Sequence, residues 1–394
     1  MQAPASPEPN SILLVSEPGV DGVFHYVRDL ANGLHERGWT VHLAYSSVRD
    51  CPALYEFVDR VRQRGGRTLD LRVGNFPGPA DAPALWRLRA LAWTVRPTII
   101  HAHSSKAGVL ARALPLLGVR AHYFYTPHAY YQMYGPAGAK KRVFALVERV
   151  FGRVGQTLNT SHAEEQYARE VLGIPEAQLC VALTGVDCER FRPPVSAAAQ
   201  GEARMRFGLP AGVPLLGTVA RLSDQKDPRT LYRALLTAMA QATDLHFAHL
   251  GKGDLSGEID VLLAAAPADV RVRIHRLSGS TDTPSFYQGL DAFALPSRYE
   301  GFALSALEAL ATGLPLILTD CPGNDDLKNF GLDALRWCTV GEAADLSATI
   351  LEWHAAGPRA NNHRETALAR LNGRDTLEKV LCCYAKQIAS GPSG

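Results

Sequence analysis

Short apolar runs and helix-like apolar spacings alternate from the start of the chain. Residues 11–16 read SILLVS, which is typical of a strand buried on both faces. Apolar residues at 24, 27, 30 and 34 follow at helical spacing up to Gly38, a suitable C-terminal cap. Residues 39–45 form the next apolar run. Because parallel strands need a crossover connection, usually a helix, this unit predicts a parallel sheet.

The alternation runs to about residue 172 and restarts after residue 200. The first series predicts strands at 98–102, 121–125 and 154–159 and helices at 106–117 and 161–172. Two prolines and small residues at 191–200 predict a linker. The second series predicts strands at 214–219, 245–250, 270–275, 292–295 and 315–319 and helices at 228–240 and 303–312. We therefore expect an α/β protein with two doubly wound, Rossmann-like domains facing a deep cleft at the carboxyl ends of their strands.

Composition narrows the class of protein. Of the 394 residues, 46% are apolar and 20% are charged, which is ordinary globular usage and excludes a disordered or fibrous chain. The net charge of +2 is too small to favour nucleic-acid binding. Residues 1–193 carry +5 and the remainder −3, so the first half is the one suited to an anionic surface.

The seven cysteines include no C-x-x-C pair, and their number is odd. A disulfide scaffold and a structural zinc site are therefore disfavoured, and reduced thiols in a cytoplasmic protein are expected. No stretch of 18 apolar residues is present, which disfavours a membrane-spanning helix.

The most informative segment reads SRYEGFALSALEAL and carries two carboxylates eight residues apart. Glu300 lies in a turn after a strand, and Glu308 lies within the next helix. Eight helical residues span about 12 Å, so the two carboxylates can contact separate hydroxyl-bearing parts of one long ligand. Backbone N–H groups of Gly301, Phe302 and Ala303 would bind a phosphate at the helix N-terminus. The alternative, a solvated glutamate on an amphipathic helix, is disfavoured by the apolar neighbours of Glu308.

Two cations, Arg221 and Lys226, lie just beyond the end of a predicted strand. Their spacing on one loop suits a diphosphate and the negative charge of a departing nucleoside diphosphate. On their own they are more typical of a solvated surface pair.

The segment EGFALSALE resembles the E-x7-E motif of the retaining GT-B glycosyltransferases, in particular glycosyltransferase family 4. Further pieces agree in order and spacing, and together they extend from about residue 12 to residue 327. They are TGVD at 184–187 with Phe191 and Pro193, GTVARL at 217–222 with Lys226, GKG at 251–253, and LPS at 295–297. Each piece is weak alone, but the ordered set is specific.

The resemblance implies transfer of a sugar from a nucleotide diphosphate sugar to a hydroxyl acceptor with retention. It implies an acceptor-side domain at 11–193, a donor-binding domain at 201–375, and a helix at 376–390 that packs back on the first domain. Glu300 would hold the transferred sugar and Glu308 the ribose. No D-x-D motif lies at a plausible donor position, so neither an essential metal nor another cofactor is expected.

Three residues of the first half are further candidates. The resemblance places His128, in the sequence YTPHAY, near the reacting sugar, where it would act in catalysis; a structural histidine is the alternative. His103 is expected to line the acceptor side. A zinc site formed with His101 is disfavoured because no fourth ligand is evident. Gly22 lies in the first glycine-containing loop and is expected to approach substrate, although a plain strand–helix turn is equally consistent.

Aromatic and basic residues follow one another at Tyr130–Tyr134 and Lys140–Arg142. This pattern suits the headgroup zone of a membrane, with a solvated helix as the equal alternative and RNA stacking as the weakest. We expect a cytoplasmic protein, peripheral on the inner face of the cell membrane, that acts on a lipid-linked acceptor in bacterial surface polysaccharide or glycolipid assembly.

Two other functions stay open at this point. A nucleotide-sugar epimerase on the same fold would cleave the same bond without an acceptor. A non-catalytic nucleotide-sugar or membrane-binding module is the other alternative. The presence of Arg221, Lys226 and the two glutamates argues against it. A glycosidase is less consistent, because no second acid faces the glutamates.

Overall fold

The computed structural model describes residues 10–133, 138–280, 282–329, 331, 335–357, 364–365, 369 and 371–390, with only the backbone of Asp21. Tyr134, the last residue of the aromatic cluster noted above, lies outside the described residues. The chain divides into two compact units, residues 1–184 with 376–394 and residues 185–375.

The first unit is built on a seven-stranded sheet, in which all strands pair in parallel with the order β3-β2-β1-β4-β5-β6-β7. Its strands are β1 Ser11–Ser16, β2 Thr40–Tyr45, β3 Thr68–Asp70, β4 Ile99–His103, β5 His122–Thr126, β6 Gln156–Asn159 and β7 Leu179–Val181. Its first six helices are α1 Asp21–Glu36, α2 Pro52–Gln63, α3 Asp81–Val95, α4 Ser105–Arg112, α5 Ala139–Phe151 and α6 His162–Glu170. Helices cover both faces: α1 and α2 pack in one apolar cluster, and α3 and α4 pack in the other.

The second unit has a six-stranded parallel sheet with the order β10-β9-β8-β11-β12-β13. Its strands are β8 Leu215–Val219, β9 His246–Leu250, β10 Ile274–Leu277, β11 Ala292–Leu295, β12 Leu316–Thr319 and β13 Leu335–Cys338. Its helices are α7 Ala197–Arg206, α8 Pro228–Gln241, α9 Ser256–Ala264, α10 Ala268–Arg271, α11 Thr283–Gly289, α12 Leu304–Ala311, α13 Asp325–Lys328 and α14 Ala343–Ala356.

The strand order fixes where each sheet can bind a ligand. Counted within each unit, the order is 3-2-1-4-5-6, with a seventh edge strand in the first unit. The order reverses between β1 and β4 in one sheet and between β8 and β11 in the other, and ligands of such folds bind beyond the carboxyl ends of the strands at this reversal. The predicted pair of doubly wound domains is confirmed.

The last described helix, α15 (Gly373–Ala389), returns the chain to the first unit. Leu377, Val380 and Tyr384 join the apolar cluster of α1 and α2. Cys383 of this helix packs beside Cys180 of β7, with their Cα atoms 7.3 Å apart. The two cysteines are 203 residues apart, and only the packing of α15 brings them together.

Two local predictions differ from the structure. The predicted linker at 191–200 already contains the start of α7, where Ser196 caps the helix by accepting a hydrogen bond from the Ala199 N–H. The predicted strand at 270–275 is a turn of helix, α10, followed by β10. In addition, residues 185–193 belong to the second unit, because the Val186 N–H donates to Leu371 O and its carbonyl accepts from Gly373.

Candidate active site

The carboxyl edge of the second sheet brings two loops together at the order reversal. The loop after β8 carries Arg221 and Lys226, and the loop after β11 carries Glu300. The Arg298 N–H donates to Gln225 O at 2.8 Å, and Gln225 Nε2 donates to Tyr299 O at 3.2 Å. These bonds hold the two loops against each other, although about seventy residues separate them in sequence.

Lys226 and Glu300, two of the predicted site residues, form an ion pair. Lys226 Nζ lies 2.5 Å from Glu300 Oε1, and the same oxygen accepts from Ser297 Oγ at 2.5 Å. The Glu300 side chain is 5% exposed and that of Lys226 17%. A buried carboxylate held by a cation and a hydroxyl is a fixed hydrogen-bond acceptor beside a fixed positive charge. This combination suits a sugar hydroxyl next to a phosphate.

Gly323 supports the backbone of Glu300. The Glu300 N–H donates to Pro322 O at 2.9 Å, and a Cβ on Gly323 would lie 1.9 Å from Glu300 O. Gly323 also has φ +94, a conformation that L side chains rarely adopt. Sequence reasoning missed this glycine; the signal was a proline–glycine pair at residues 322–323, shortly after the strand predicted at 315–319.

Cys321, close to the Glu300 carboxylate, is uncharged. Burial, with the Glu300 carboxylate as a further cause, raises the pKa of Cys321 to about 12. Thr319 Oγ1 donates to Ser297 O at 2.5 Å. This bond fixes Ser297, whose hydroxyl donates to the Glu300 carboxylate. Cys321 is therefore a thiol at neutral pH, and the charge at this point belongs to Lys226 and Glu300.

Glu308 lies half-buried on α12 and pairs with a tyrosine. Tyr287 Oη donates to Glu308 Oε2 at 2.9 Å and lies 3.0 Å from Ser305 O. Burial, together with the Glu308 carboxylate, holds the pKa of Tyr287 well above its ordinary value. Sequence reasoning missed Tyr287, since nothing in its local pattern distinguishes it from other core aromatics. The tyrosine orients one oxygen of the carboxylate that we assigned to the ribose.

Gly301, Phe302 and Ala303 are buried and lead directly into α12. Ala303 O accepts from the N–H groups of Ala306 and Leu307, which forms the first turn of the helix. The backbone of this segment therefore lies at a helix N-terminus between Glu300 and Glu308, the position expected for a phosphate contact.

Arg221 is exposed and lies in a turn that the GKG segment supports. A Cβ on Gly251 would lie 2.0 Å from Ala220 O, and one on Gly253 would lie 2.3 Å from Leu222 O. The Leu222 N–H donates to Lys252 O at 3.2 Å. Both glycines thus allow two loops to pack backbone against backbone on either side of Arg221.

His249 supports the candidate site, and the sequence did not single it out. Its Nε2 lies 2.9 Å from Ala220 O, and its Nδ1 lies 3.0 Å from Tyr232 Oη. Burial lowers the pKa of His249 to about 4, so the ring is neutral and Nε2 carries the proton that the carbonyl accepts. The histidine fixes the backbone immediately before Arg221.

In the first unit, His103 and His128 are brought together. His103 ends β4, and its Nδ1 lies 3.1 Å from His128 Nε2 in the loop after β5. Burial lowers the pKa of His128 to about 3, so one neutral ring donates to the other. His103 Nε2 and Tyr26 Oη are buried and have no hydrogen-bond partner within the described residues. Because such groups cost about 1–3 kcal/mol each, a ligand hydroxyl would be stabilised there.

His101 has a structural role. It is fully buried and hydrogen bonds Tyr384 Oη at 2.6 Å and Thr126 Oγ1 at 2.9 Å. Burial, with His128 as a further cause, lowers the pKa of His101 to about 3. Among the described residues, no group of three His, Cys, Asp or Glu side chains could hold a metal ion.

Glu164 holds the turn that carries His128. His128 and Ala129 have φ of +53 and +79, both in the left-handed region that non-glycine residues seldom occupy. The Ala129 N–H donates to Glu164 Oε1 at 2.5 Å, while Thr160 donates to Oε2 from both its N–H and its hydroxyl. Ser161 caps α6 by accepting a hydrogen bond from the Glu164 N–H, and the Glu164 side chain fixes the histidine loop.

Gly22, a predicted substrate contact, lies exposed in the first turn of α1. The close-packed glycine of this loop is Gly19, whose N–H donates to Arg49 O at 2.8 Å and whose Cβ would lie 2.4 Å from Leu54. Glu17, which the sequence did not single out, follows β1 and is 2% exposed. Burial raises its pKa, against the opposing charges of Arg49 and Lys106.

Family models match both units. Residues 21–185 match a "Glycosyl transferase 4-like domain", and residues 213–355 match "Glycosyl transferases group 1". The chain is 29% identical over 196 residues to the lipopolysaccharide core biosynthesis mannosyltransferase LpsB of Rhizobium meliloti (49% of this chain and 54% of that protein). It is 27% identical over 251 residues to the UDP-Gal:alpha-D-GlcNAc-diphosphoundecaprenol alpha-1,3-galactosyltransferase of Escherichia coli (63% and 64%). The chain thus spans between half and two thirds of these two relatives.

Other matches extend over nearly the full length. The D-inositol 3-phosphate glycosyltransferase of Xylanimonas cellulosilytica is 29% identical over 406 residues (91% of this chain and 93% of that protein). The structure of sucrose-phosphate synthase from Thermosynechococcus elongatus matches with a TM-score of 0.79 at 20% identity (97% and 100%). Anabaena Alr3699/HepE in complex with UDP and glucose matches with a TM-score of 0.77 at 19% identity (96% and 99%). The last two matches show a shared fold.

Proposed function

The chain belongs to the GT-B glycosyltransferases of family 4, and we propose that it transfers a sugar from a nucleotide diphosphate sugar to a hydroxyl acceptor with retention at the anomeric carbon. The observation that carries this proposal is the Lys226–Glu300 pair, fixed by Ser297 at the order reversal of the second sheet. The E-x7-E segment that contains Glu300 lies within the group 1 domain.

The donor is assigned to the second unit. Lys226 and Arg221 would bind the diphosphate, Glu300 a hydroxyl of the transferred sugar, and Glu308 the ribose. The bond between the anomeric carbon and the diphosphate oxygen breaks, the acceptor oxygen bonds that carbon on the same face, and the acceptor proton passes to the departing diphosphate. The cations stabilise the negative charge that develops on the leaving group.

The acceptor side is assigned to the first unit. Neutral His128 would hydrogen bond a hydroxyl of the reacting sugar or acceptor, and His103 with Tyr26 would bind further hydroxyls. The unpaired buried Nε2 of His103 and Oη of Tyr26 support this assignment.

A thermal-shift screen tests the donor assignment. Uridine, guanosine and adenosine diphosphates and their sugars are added to the full chain, since a ligand that binds only the native state raises Tm. The structures of HepE with UDP and with UDP-glucose support testing uridine donors first. Lys226→Ala should abolish the shift, and Lys379→Ala, an exposed lysine of α15, should retain it. A shift that survives Lys226→Ala would contradict the assignment.

Product analysis separates transfer from epimerisation. A transferase converts the sugar only when a hydroxyl acceptor is present, apart from slow hydrolysis. Conversion of the donor sugar to its epimer without any acceptor would instead support the epimerase alternative.

We further propose a lipid-linked acceptor and peripheral contact with the inner face of the cell membrane, within surface polysaccharide or glycolipid assembly. The names of the two relatives that concern lipopolysaccharide core and diphosphoundecaprenol support this class of acceptor. Helix α5 carries Lys140, Lys141 and Arg142, and each cation near an anionic surface contributes about 1 kcal/mol. None of the described helices is long and apolar enough to cross a membrane.

Co-sedimentation with anionic liposomes at low and high salt tests this location. The parent chain should bind at low salt and be released at high salt, because salt screens the attraction. A Lys140/Lys141/Arg142→Ser variant should bind less. Binding that is absent, or that responds to neither salt nor the substitutions, would leave a water-soluble acceptor as the better proposal.

A further inference from the structure

Helix α3 exposes an aromatic ladder. Trp86 and Trp93, seven residues apart, are 58% and 51% exposed, and the Arg89 guanidinium lies between them at 5.6 Å and 4.9 Å from the two ring centroids. Arg89 Nε also donates to Leu117 O at 3.0 Å, which fixes the cation in place. The ladder is therefore a rigid, preorganised surface.

The packing of α3 does not require these tryptophans. The helix contributes Ala84, Leu88 and Ala92 to the core through its opposite face. Leu116, in the 3-10 turn after α4, is 83% exposed and adds a large aliphatic side chain to the outer surface. Large apolar side chains exposed next to one another are typical of an interaction surface. Tryptophan and arginine are enriched at the boundary between an apolar environment and water.

The sequence around the ladder contains almost no acidic residues. Residues 82–163 contain eleven Lys and Arg and a single carboxylate, Glu148. Glu148 is 1% exposed and pairs with buried Arg112 at 2.8 Å. Asp81, the first residue of α3, is paired with Lys106. The surface formed by residues 82–163 therefore carries an excess of cations, which makes it complementary to an anionic partner.

Helix α5 adds a second apolar patch on the same side of the sheet. Its Ala145 packs with the cluster that contains α3 and α4. On its outer side Val143, Leu146 and Val150 are 61%, 59% and 57% exposed. Their spacing of three and four residues gives one continuous stripe along the helix.

We propose that the α3 ladder of Trp86, Arg89 and Trp93, with Leu116, is a docking surface for the headgroup zone of an anionic bilayer, and that it acts together with α5. The inference rests on the proposed membrane location and names the side chains that enter the lipid. Apolar side chains favour a bilayer over a nucleic acid, which would contact the cations but not Leu116 or the α5 stripe. Two linked patches bind the same surface more tightly than either alone.

Intrinsic fluorescence provides a direct test on the full chain. Trp39 and Trp353 are buried and Trp337 is half-buried, so Trp86 and Trp93 are the exposed reporters among the described residues. Vesicles of phosphatidylglycerol and phosphatidylcholine should shift the emission to the blue, and brominated lipid should quench it. Phosphatidylcholine vesicles alone should do neither. The shift should disappear in Trp86→Phe/Trp93→Phe, which retains the aromatic packing.

A second test measures the affinity of the chain for anionic vesicles. Trp86→Ala/Trp93→Ala should weaken binding to the anionic vesicles by about tenfold or more. Tyr55→Ala, which removes an exposed aromatic from α2 on the other side of the sheet, should not. The proposal is overturned if anionic vesicles leave the emission unchanged or if the double alanine variant binds like the parent. Vesicle binding is measured without donor, and turnover on a water-soluble acceptor is measured separately, so that failure of the ladder is distinct from failure of the transferase assignment.

Discussion

Lys226 is the side chain on which the proposed donor site depends most. We expect Lys226→Ala and Arg221→Ala each to lower kcat/KM by the equivalent of about 2–4 kcal/mol, because each removes a charge from the developing anion. Lys226→Ala should also lower Tm, since it removes the cation that pairs with the buried Glu300 carboxylate. Steady-state kinetics and thermal unfolding measure both effects. Near-parental turnover in both variants would contradict the diphosphate assignment.

The two glutamates should separate kinetically. A ribose contact is similar in the ground and transition states, so Glu308→Gln should raise the donor KM more than it lowers kcat. Glu300→Gln should do the reverse, because we propose that Glu300 contacts the transferred sugar. Tyr287→Phe removes only the hydroxyl that orients Glu308. It should raise the donor KM as Glu308→Gln does, but by a smaller factor. Equal effects on both parameters in both glutamine variants would disprove this division of roles.

Glu164 should matter through His128. Glu164→Ala removes the acceptor of the Ala129 N–H, so we expect a loss of about 1–3 kcal/mol in stability and a fall in kcat like that of His128→Ala. Glu164→Gln retains an acceptor oxygen and should be intermediate. Glu165→Ala, which breaks a surface pair with Arg169 on the same helix, should change little. Full activity in a destabilised Glu164→Ala would show that the turn does not position His128.

Among the elements, the buried strands were the easiest to predict. The runs of β1, β8, β11 and β12 contain no charged residue, so their positions followed from the sequence to within one or two residues. The strand predicted at 270–275 failed because Val270 is buried by a helical turn and not by a strand, a distinction that a short apolar run cannot make. The start of α7 was hidden because two prolines precede it and its first residues are small.

The candidate site was predictable to a similar degree. Motif spacing identified Arg221, Lys226, Glu300 and Glu308, but not that Lys226 and Glu300 form a pair. That contact depends on two loops meeting at the edge of a sheet. Tyr287, Glu164 and His249 support site residues through tertiary contacts, so nothing near them in the sequence marks them.

The turn after β12 gives a matched pair of glycine variants. Gly323→Ala should lower both Tm and kcat, because its Cβ would lie 1.9 Å from Glu300 O and must displace the Glu300 backbone. Gly341→Ala has a similar positive φ but no atom within 4 Å, so it should cost only the backbone strain of about 1–3 kcal/mol and leave kcat unchanged. Thermal unfolding and kinetics on both variants check this. Equal kcat in the two would exclude a supporting role for Gly323.

The molecule as a whole should be sensitive to acid. Burial lowers the pKa of His101 and His128 to about 3 and that of His249 to about 4, against an ordinary value of about 6.5 in the unfolded chain. The unfolded state therefore binds more protons below pH 6.5. The free energy of unfolding is therefore highest above pH 6.5. It falls as the pH is lowered, by up to about 1.4 kcal/mol per pH unit for each histidine. Tm measured from pH 8 to pH 4 should decline below 6.5, and His249→Asn should flatten the decline. A Tm that is constant over this range would contradict burial of the neutral rings.

Helix α15 has a consequence for the order in which the chain acquires its structure on the ribosome. Residues 185–375 form a unit that is continuous in sequence, so it can close as soon as it has emerged. The first unit is translated earlier but lacks Leu377, Val380 and Tyr384 until residues 376–390 leave the exit tunnel. Its apolar surface against α1 and α2 stays uncovered throughout that interval, at synthesis rates of about 5–20 residues per second. The half of the protein made first is thus the half finished last, and its exposed surface would be a binding site for nascent-chain chaperones.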